Sequence, residues 1–271
     1  VDALLSQPVD EVLRAQSVIE QTVQTDARRE AGPGTGALTF QPVVDGAVLP
    51  QPAIDAVRGG SAAGVHLVAG TTADEWNLFH LQARMRGPLS GEQVRRRLAR
   101  LVGPDRVDDV LDAYRSARPR ADVDGLFCAV MTDHVFRMPA VRLAEAQLPH
   151  APRVSLYRFD LPSTAMGGAL GACHAIDVPF VFDNLDRGGV DMLLGGLDDD
   201  ARRLATRTSR AWTSVARMGS PAHDDLDWPA YDRDQRLTCT LDRRVGVAAD
   251  PEGALRALWD DLTPVPGPAR S

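Results

Sequence analysis

The amino-acid sequence predicts an α/β protein with a mostly parallel sheet and flanking helices. Two short apolar runs rich in β-branched residues, at 65–72 and 153–159, are typical of buried strands. Segments with helical periodicity separate them, and this alternation favours a parallel sheet covered by helices. At 271 residues, 44% of them hydrophobic, the chain is long enough to bury a full core.

The elements around the first strand follow from periodicity and from turn residues. Residues 1–24 repeat apolar side chains at three- and four-residue steps, which predicts a helix. A glycine-rich loop is expected at 32–36, followed by a short extended piece at 40–46 that ends in a turn. Residues 65–72 form the predicted strand.

The rest of the chain is predicted to be mainly helical, with one further strand besides 153–159. The long helix at 198–218 follows from three acids at its amino end and Gly219 at its carboxyl end. The other predicted elements are helices at 90–115, 132–148 (interrupted near Pro139) and 251–262, and a last strand at 237–241.

Charge and composition exclude several classes of function. The net charge is −7 and every basic residue is Arg, so no basic stripe is available and nucleic-acid binding is not expected. No apolar run approaches the roughly 18 residues that predict a membrane span. The three cysteines are too few and too widely spaced for a zinc ribbon or a disulfide framework, and we expect them to be small buried residues: Cys128, Cys173 and Cys239.

Two loops carry candidate chemistry, and each follows a predicted strand. Glu75 comes just after 65–72, and His174 lies in the loop after 153–159. Loops at the carboxyl ends of parallel strands gather at one edge of a sheet, where functional groups collect. A histidine can take a proton near neutral pH, and a carboxylate can fix its tautomer and stabilise the imidazolium.

Four stretches, in order along the chain, resemble the type-B carboxylesterase family, which includes cholinesterases and bacterial para-nitrobenzyl esterases. Each is a weak signal alone, but together they are specific. They are Pro42-Val43-Val44-Asp45-Gly46; Gly70-Thr71-Thr72-Ala73-Asp74-Glu75; residues 171–182 from Gly171-Ala172-Cys173-His174 to Phe182; and Gly219-Ser220-Pro221 with Trp228-Pro229.

The resemblance implies an α/β-hydrolase fold, of which residues 1–271 are a carboxy-terminal portion. It implies that Glu75 is the acid and His174 the general base of a Ser–Glu–His triad, whose members follow that order along such chains. It also places Leu78 and Phe79 near the substrate pocket, with a small-molecule ester as substrate and with no metal or cofactor. Asp177 is a mild departure, since the family more often has Glu there.

The nucleophile and the oxyanion donors have no counterpart in the sequence. A complete member would carry a Gly-x-Ser-x-Gly elbow and a glycine-rich oxyanion loop. The nearest lookalike surrounds Ser61, but it lacks a glycine two places later and precedes a strand, whereas an elbow follows one. We therefore expect both parts to lie in a missing amino-terminal portion of the same domain.

Other interpretations of these residues and of the chain stay open at this point. Glu75 is also typical of a solvated acid at a helix start. His174 could be satisfied by a backbone carbonyl or, with Asp177, belong to a metal site, and Trp76 and Phe79 could be core residues. The chain as a whole could be a non-catalytic esterase-like binding module or a degenerate gene product.

Overall fold

A computed structural model describes residues 2–30, 40, 42–84 and 89–262, and one four-stranded sheet lies at its centre. The strands run in the spatial order β1-β2-β3-β4; the first three are parallel and the last pair is antiparallel. Their bounds are β1 Leu67–Thr72, β2 Val154–Phe159, β3 Leu237–Leu241 and β4 Gly246–Ala249. The predicted loop at 32–36 lies outside the described residues.

Twelve α-helices are found in the described part of the chain, with shorter helical turns between them. They are α1 Asp2–Leu5, α2 Val9–Glu30, α3 Ala53–Arg58, α4 Trp76–Arg84, α5 Gly91–Val102, α6 Val107–Ala117, α7 Val123–Thr132, α8 Met138–Gln147, α9 Val178–Val181, α10 Val190–Leu194, α11 Asp199–Met218 and α12 Gly253–Asp261. None of these helices is both long enough and apolar enough to cross a membrane.

The register of β1 against β2 sets where the following loops begin. Leu67 pairs with Val154 and Thr72 pairs with Phe159, so the two strands end level. The Ala73 N–H donates to the Phe159 carbonyl at 2.9 Å and continues the ladder one step further. The chain therefore leaves both strands at the same edge of the sheet.

Side chains alternate across the strands and build a core on each face of the sheet. Leu156 of β2 packs on one face with Ala144 of α8. Phe159 of β2 and Leu241 of β3 pack on the other face, together with Leu204 of α11. Because strand side chains have a period of two, the apolar runs cover both faces and the protein has three layers.

Two predicted helices are interrupted at residues that disfavour helical backbone. The helix predicted at 1–24 is two helices, α1 and α2, separated at 6–8 by a turn that contains Pro8. The helix predicted at 90–115 is likewise two, α5 and α6, because Gly103 has a φ of 86° and Pro104 follows it. The extended piece expected at 40–46 contains no strand in its described residues.

The segment predicted as a helix at 132–148 is irregular at a different place from the one expected. Pro139 lies in the first turn of α8, directly after an irregular turn, and the helix continues through it. The irregularity is a π-helical turn at Asp133–Arg137, which joins α7 directly to α8. The sequence interpretation missed the helices α3, α4, α7, α9 and α10 and the strand β4. It placed β3 correctly and placed the long helix α11 within one residue.

Trp228 anchors the core between the sheet and α11. Its side chain is fully buried and its indole N–H donates to the Leu156 carbonyl at 3.1 Å. The ring also packs edge-on against Tyr157 and Trp212, with centroids 6.0 and 5.8 Å away. Trp228 thus joins the strand that leads to the His174 loop to the helical layer behind it.

We expect Trp228→Ala to lower the free energy of unfolding by about 3–5 kcal/mol, because it leaves a cavity and removes a hydrogen bond to a buried carbonyl. Urea denaturation followed by circular dichroism measures this. The matched control is Met218→Ala, since Met218 is 69% exposed and should change stability by less than about 0.5 kcal/mol. A Trp228→Ala loss no larger than that of the control would contradict this view of the core.

Candidate active site

Glu75 and His174 meet at the level edge of β1 and β2. Nδ1 of His174 lies 2.6 Å from Oε2 of Glu75, within hydrogen-bonding distance, although the two residues are 99 positions apart in the chain. The contact expected from strand-end placement is therefore present. With Nδ1–H donating to a carboxylate, the neutral ring carries its proton on Nδ1 and leaves Nε2 free as a base.

Glu75 is buried and held by both of its carboxylate oxygens. Only 5% of the residue is exposed. Oε1 accepts a hydrogen bond from the Thr72 N–H at 2.8 Å, and Oε2 accepts the one from His174. Burial raises the pKa of Glu75, while these two hydrogen bonds act in the opposite direction. The interpretation of Glu75 as a solvated acid at a helix start is therefore wrong.

His174 is shielded on the Glu75 side and open on the other. Its side chain is 42% exposed and borders an open cleft of about 390 Å³. Among the described residues Nε2 has no hydrogen-bond partner. No serine lines this cleft in the part of the chain that the structure describes; its walls include Gly70, Thr71, Val135, Ala175 and Val178.

Two phenylalanines pack against the His174 imidazole. The ring centroids of Phe79 and Phe136 lie 5.1 and 5.0 Å from that of His174, and the two phenyl rings stack on each other at 6.0 Å. Trp76 is buried behind them, 5.1 Å from Phe79. These rings keep water away from the Glu75–His174 hydrogen bond, which strengthens it electrostatically.

The π-helical turn at Asp133–Arg137 places Phe136 in this position, and a buried polar network stabilises the turn. Arg137 binds both carboxylate oxygens of Asp133, at 2.6 and 2.8 Å. The Tyr114 hydroxyl also donates to Asp133, and it accepts a hydrogen bond from the Trp259 indole at 2.7 Å. Single π-helical turns often occur at functional sites. The sequence carried no signal for Phe136, because this contact depends on a tertiary network.

Leu78 and Phe79 lie on different sides of α4, because neighbouring helix positions point about 100° apart. Phe79 contacts the His174 ring, as described. Leu78 faces an apolar groove of about 630 Å³ that is also lined by Leu81, Met166, Leu170 and Met192. Leu78 thus borders this groove and Phe79 packs against His174; that both lie near a substrate pocket stays a prediction.

The two remaining candidate residues, Asp177 and Ser61, have structural explanations. The Tyr157 hydroxyl donates to Asp177 at 2.9 Å, and no group of three or more potential metal ligands occurs among the described residues. Ser61 is exposed in the turn before β1, whereas Glu75 follows β1. A six-residue strand separates the two ends by roughly 20 Å, so Ser61 is a loop residue, as the sequence indicated.

Fold and site together define an α/β-hydrolase. Structural comparison bears this out: a carboxylesterase of Geobacillus stearothermophilus superimposes with a TM-score of 0.76 and 33% identity over 95% of this chain and 50% of its own. A para-nitrobenzyl esterase structure gives a TM-score of 0.66 and 32% identity over 83% of this chain and 44% of its own.

The profile of the carboxylesterase family matches residues 1–254, and the chain belongs to this family. Among curated relatives, the para-nitrobenzyl esterase of Bacillus subtilis is 36% identical over 81% of this chain and 42% of its own length. The phenmedipham hydrolase of Pseudarthrobacter oxydans is 30% identical over 80% of this chain and 43% of its own. The chain thus spans less than half the length of these two relatives.

We expect Glu75→Gln to stabilise the fold more at neutral than at acidic pH. An acid whose pKa is raised by folding binds more protons folded than unfolded between its usual and its folded pKa, so stability falls as pH rises through that window. Glutamine accepts the same Thr72 hydrogen bond without a charge and should escape this loss.

Urea denaturation at about pH 4, 5.5 and 7 measures the effect as the difference between Glu75→Gln and the unmodified chain. Glu92→Gln is the matched control, since Glu92 is exposed and its carboxylate is solvated in both states. A difference for Glu75→Gln that does not grow with pH would contradict burial of an ionised carboxylate at this site.

Cys173, although adjacent to His174, should not react as a nucleophile. It is fully buried, and burial raises its pKa to about 11, so the thiolate is scarce at neutral pH. We expect iodoacetamide at about pH 7.5 to leave Cys173 unmodified in the folded chain and to alkylate it in urea. Mass spectrometry of peptides reports both states, and rapid alkylation of the folded chain would show that the site is more open than described.

Proposed function

We propose that this chain supplies the acid and the general base of a serine carboxylic ester hydrolase. The observation that carries the proposal is the 2.6 Å hydrogen bond between His174 Nδ1 and buried Glu75, which leaves Nε2 facing an open cleft. Family membership supports it, and relatives are named for ester hydrolysis, such as the para-nitrobenzyl esterase of Bacillus subtilis. The substrate class is a small-molecule ester.

In this mechanism His174 moves the protons. Nε2 takes the proton of a serine hydroxyl as the serine oxygen attacks the ester carbonyl carbon, and the resulting imidazolium gives that proton to the departing alcohol oxygen. Water then repeats the sequence on the acyl-enzyme. Glu75 stays ionised throughout, holding the ring and stabilising its positive charge.

The serine and the oxyanion donors belong, in this proposal, to a part of the protein outside these 271 residues. Two observations support this. The chain covers 42% of the para-nitrobenzyl esterase and 50% of the Geobacillus carboxylesterase. In the described sheet β1 pairs on one side only, with β2, so its other edge can accept a further strand.

We expect the isolated chain to hydrolyse a chromogenic short-chain ester no faster than free imidazole does, because nothing in the cleft supplies a nucleophile. When the chain is joined to the family's amino-terminal segment, we expect it to hydrolyse the ester. In this joined protein His174→Ala should lower kcat about 10⁴-fold, since triad residues act as a unit.

His223→Ala is the matched control for this assay and should leave kcat unchanged, because the His223 ring contacts the Arg207 carbonyl at 3.3 Å and neither residue lines the cleft. Robust turnover by the isolated chain would mean that another nucleophile exists. Unchanged turnover in His174→Ala would remove His174 from the mechanism. An inactive joined protein would favour the non-catalytic interpretation of the chain.

A further inference from the structure

The loop that carries His174 is attached to the Glu75 loop by contacts other than their own hydrogen bond. The Asp74 N–H donates to the Ala172 carbonyl at 2.8 Å. In return, the Ala172 N–H donates to Oδ2 of Asp74 at 3.0 Å. Asp74 therefore holds Ala172 through both its backbone and its carboxylate. Asp74 is one residue before Glu75, and Ala172 is two residues before His174.

The close approach at this contact is fixed by Gly171. Its φ is +58°, and a Cβ there would lie 2.4 Å from Oδ2 of Asp74, so only glycine leaves room for the carboxylate. The Asn77 side chain adds a third hydrogen bond across the same gap, donating to the Leu170 carbonyl at 3.2 Å. Leu170, Gly171 and Ala172, in the loop that carries His174, thus all contact the segment around Glu75.

The contact is stiff on both sides. Ala172 and Cys173 are fully buried, and the Gly171 carbonyl accepts a hydrogen bond from the Ser163 N–H at 2.8 Å on the far side of the loop. A shift of Ala172 would therefore be passed to His174 over two residues. Because misplacing a reacting group by about 1 Å can cost about 10²-fold in rate, small movements here matter.

Asp74 is suited to this task by its charge. Hydrogen bonds from backbone N–H groups to a carboxylate are shorter and stronger than those to neutral acceptors. Burial raises the pKa of Asp74, and the nearby Asp160 acts in the same direction. The Ala172 N–H and the guanidinium groups of Arg118 and Arg158 favour the ionised form instead.

We propose that Asp74 is a positioning residue: by holding the Ala172 N–H, its carboxylate sets the geometry of the hydrogen bond between His174 and Glu75. The geometric claim concerns this chain alone. Its consequence for catalysis rests on the function proposed above.

The first test is proton NMR of the chain with ¹⁵N-labelled histidine. A proton in a short Nδ1–H···carboxylate bond resonates at low field when it is protected from exchange, and His174→Gln identifies the signal by removing it. We expect Asp74→Ala to abolish or broaden this signal and Asp74→Asn, which keeps an oxygen acceptor, to retain most of it.

Asp198→Ala is the matched control. Asp198 also accepts a hydrogen bond from a backbone N–H, that of Ala201 at 2.9 Å, but it caps the distant helix α11, so the low-field signal should be unchanged. If Asp74→Ala does not fold, Gly171→Ala displaces the same carboxylate with Asp74 intact and should give the same loss. A signal that persists in a folded Asp74→Ala or Gly171→Ala chain, or one absent from the unmodified chain, overturns the proposal.

The second test uses the protein joined to its amino-terminal segment. We expect Asp74→Ala to lower kcat about 10²-fold with little change in KM, and Asp74→Asn to restore most of it. If the NMR signal is lost while His174→Ala leaves turnover unchanged, the positioning claim stands and the proposed function fails. If His174→Ala abolishes turnover while Asp74→Ala leaves it unchanged, the catalytic part of this proposal is wrong.

Discussion

The level parallel pairing of β1 with β2 is the constraint on which the site depends. It brings together two residues 99 positions apart by making two loops start at the same height. A shift of one residue would move one loop by about 3.3 Å and turn every side chain of that strand to the opposite face. The cores on both faces of the sheet would then be lost, so the packing that stabilises the sheet also protects the geometry of the site.

The same arrangement places a charge where it costs stability. A buried carboxylate is unfavourable unless its oxygens are hydrogen-bonded. Glu75 meets this condition with one backbone N–H from Thr72 and one imidazole N–H from His174. Both donors lie at the edge where the strands end, so the pair of hydrogen bonds is brought together by folding. The two hydrogen bonds that allow Glu75 to be buried therefore also fix its orientation. Burying this charge lowers the stability of the fold, and it fixes the tautomer of His174.

The sequence allowed prediction of features that depend on short stretches of chain. The strands leading to Glu75 and His174 have local signatures, and because each residue follows its own strand, both are placed at one edge of a parallel sheet. Helix α11 was predictable for the same reason, since Asp198 and Gly219 mark its ends.

Features that depend on tertiary contacts were not predictable. The π-helical turn that carries Phe136 relies on Asp133, whose partner Tyr114 lies 19 positions away in the chain. Helix α7 is apolar nearly all round, so it lacks the stripe by which an amphipathic helix is recognised. Asp74 lies inside a motif that drew attention only to Glu75; its role appears once Gly171 is seen beside its carboxylate.

The two nitrogens of His174 lie in different surroundings, and this difference says what a partner segment has to provide. Nδ1 faces a buried acid behind Phe79 and Phe136, where a low dielectric strengthens its hydrogen bond. Nε2 faces an open cleft, where water would compete with any serine for the base. Electrostatic stabilisation of a developing oxyanion is also strongest where water is excluded. A segment that contributed only a serine would therefore leave Nε2 exposed to water. A segment that also covered the cleft would exclude water from Nε2, as the chain itself already does for Nδ1.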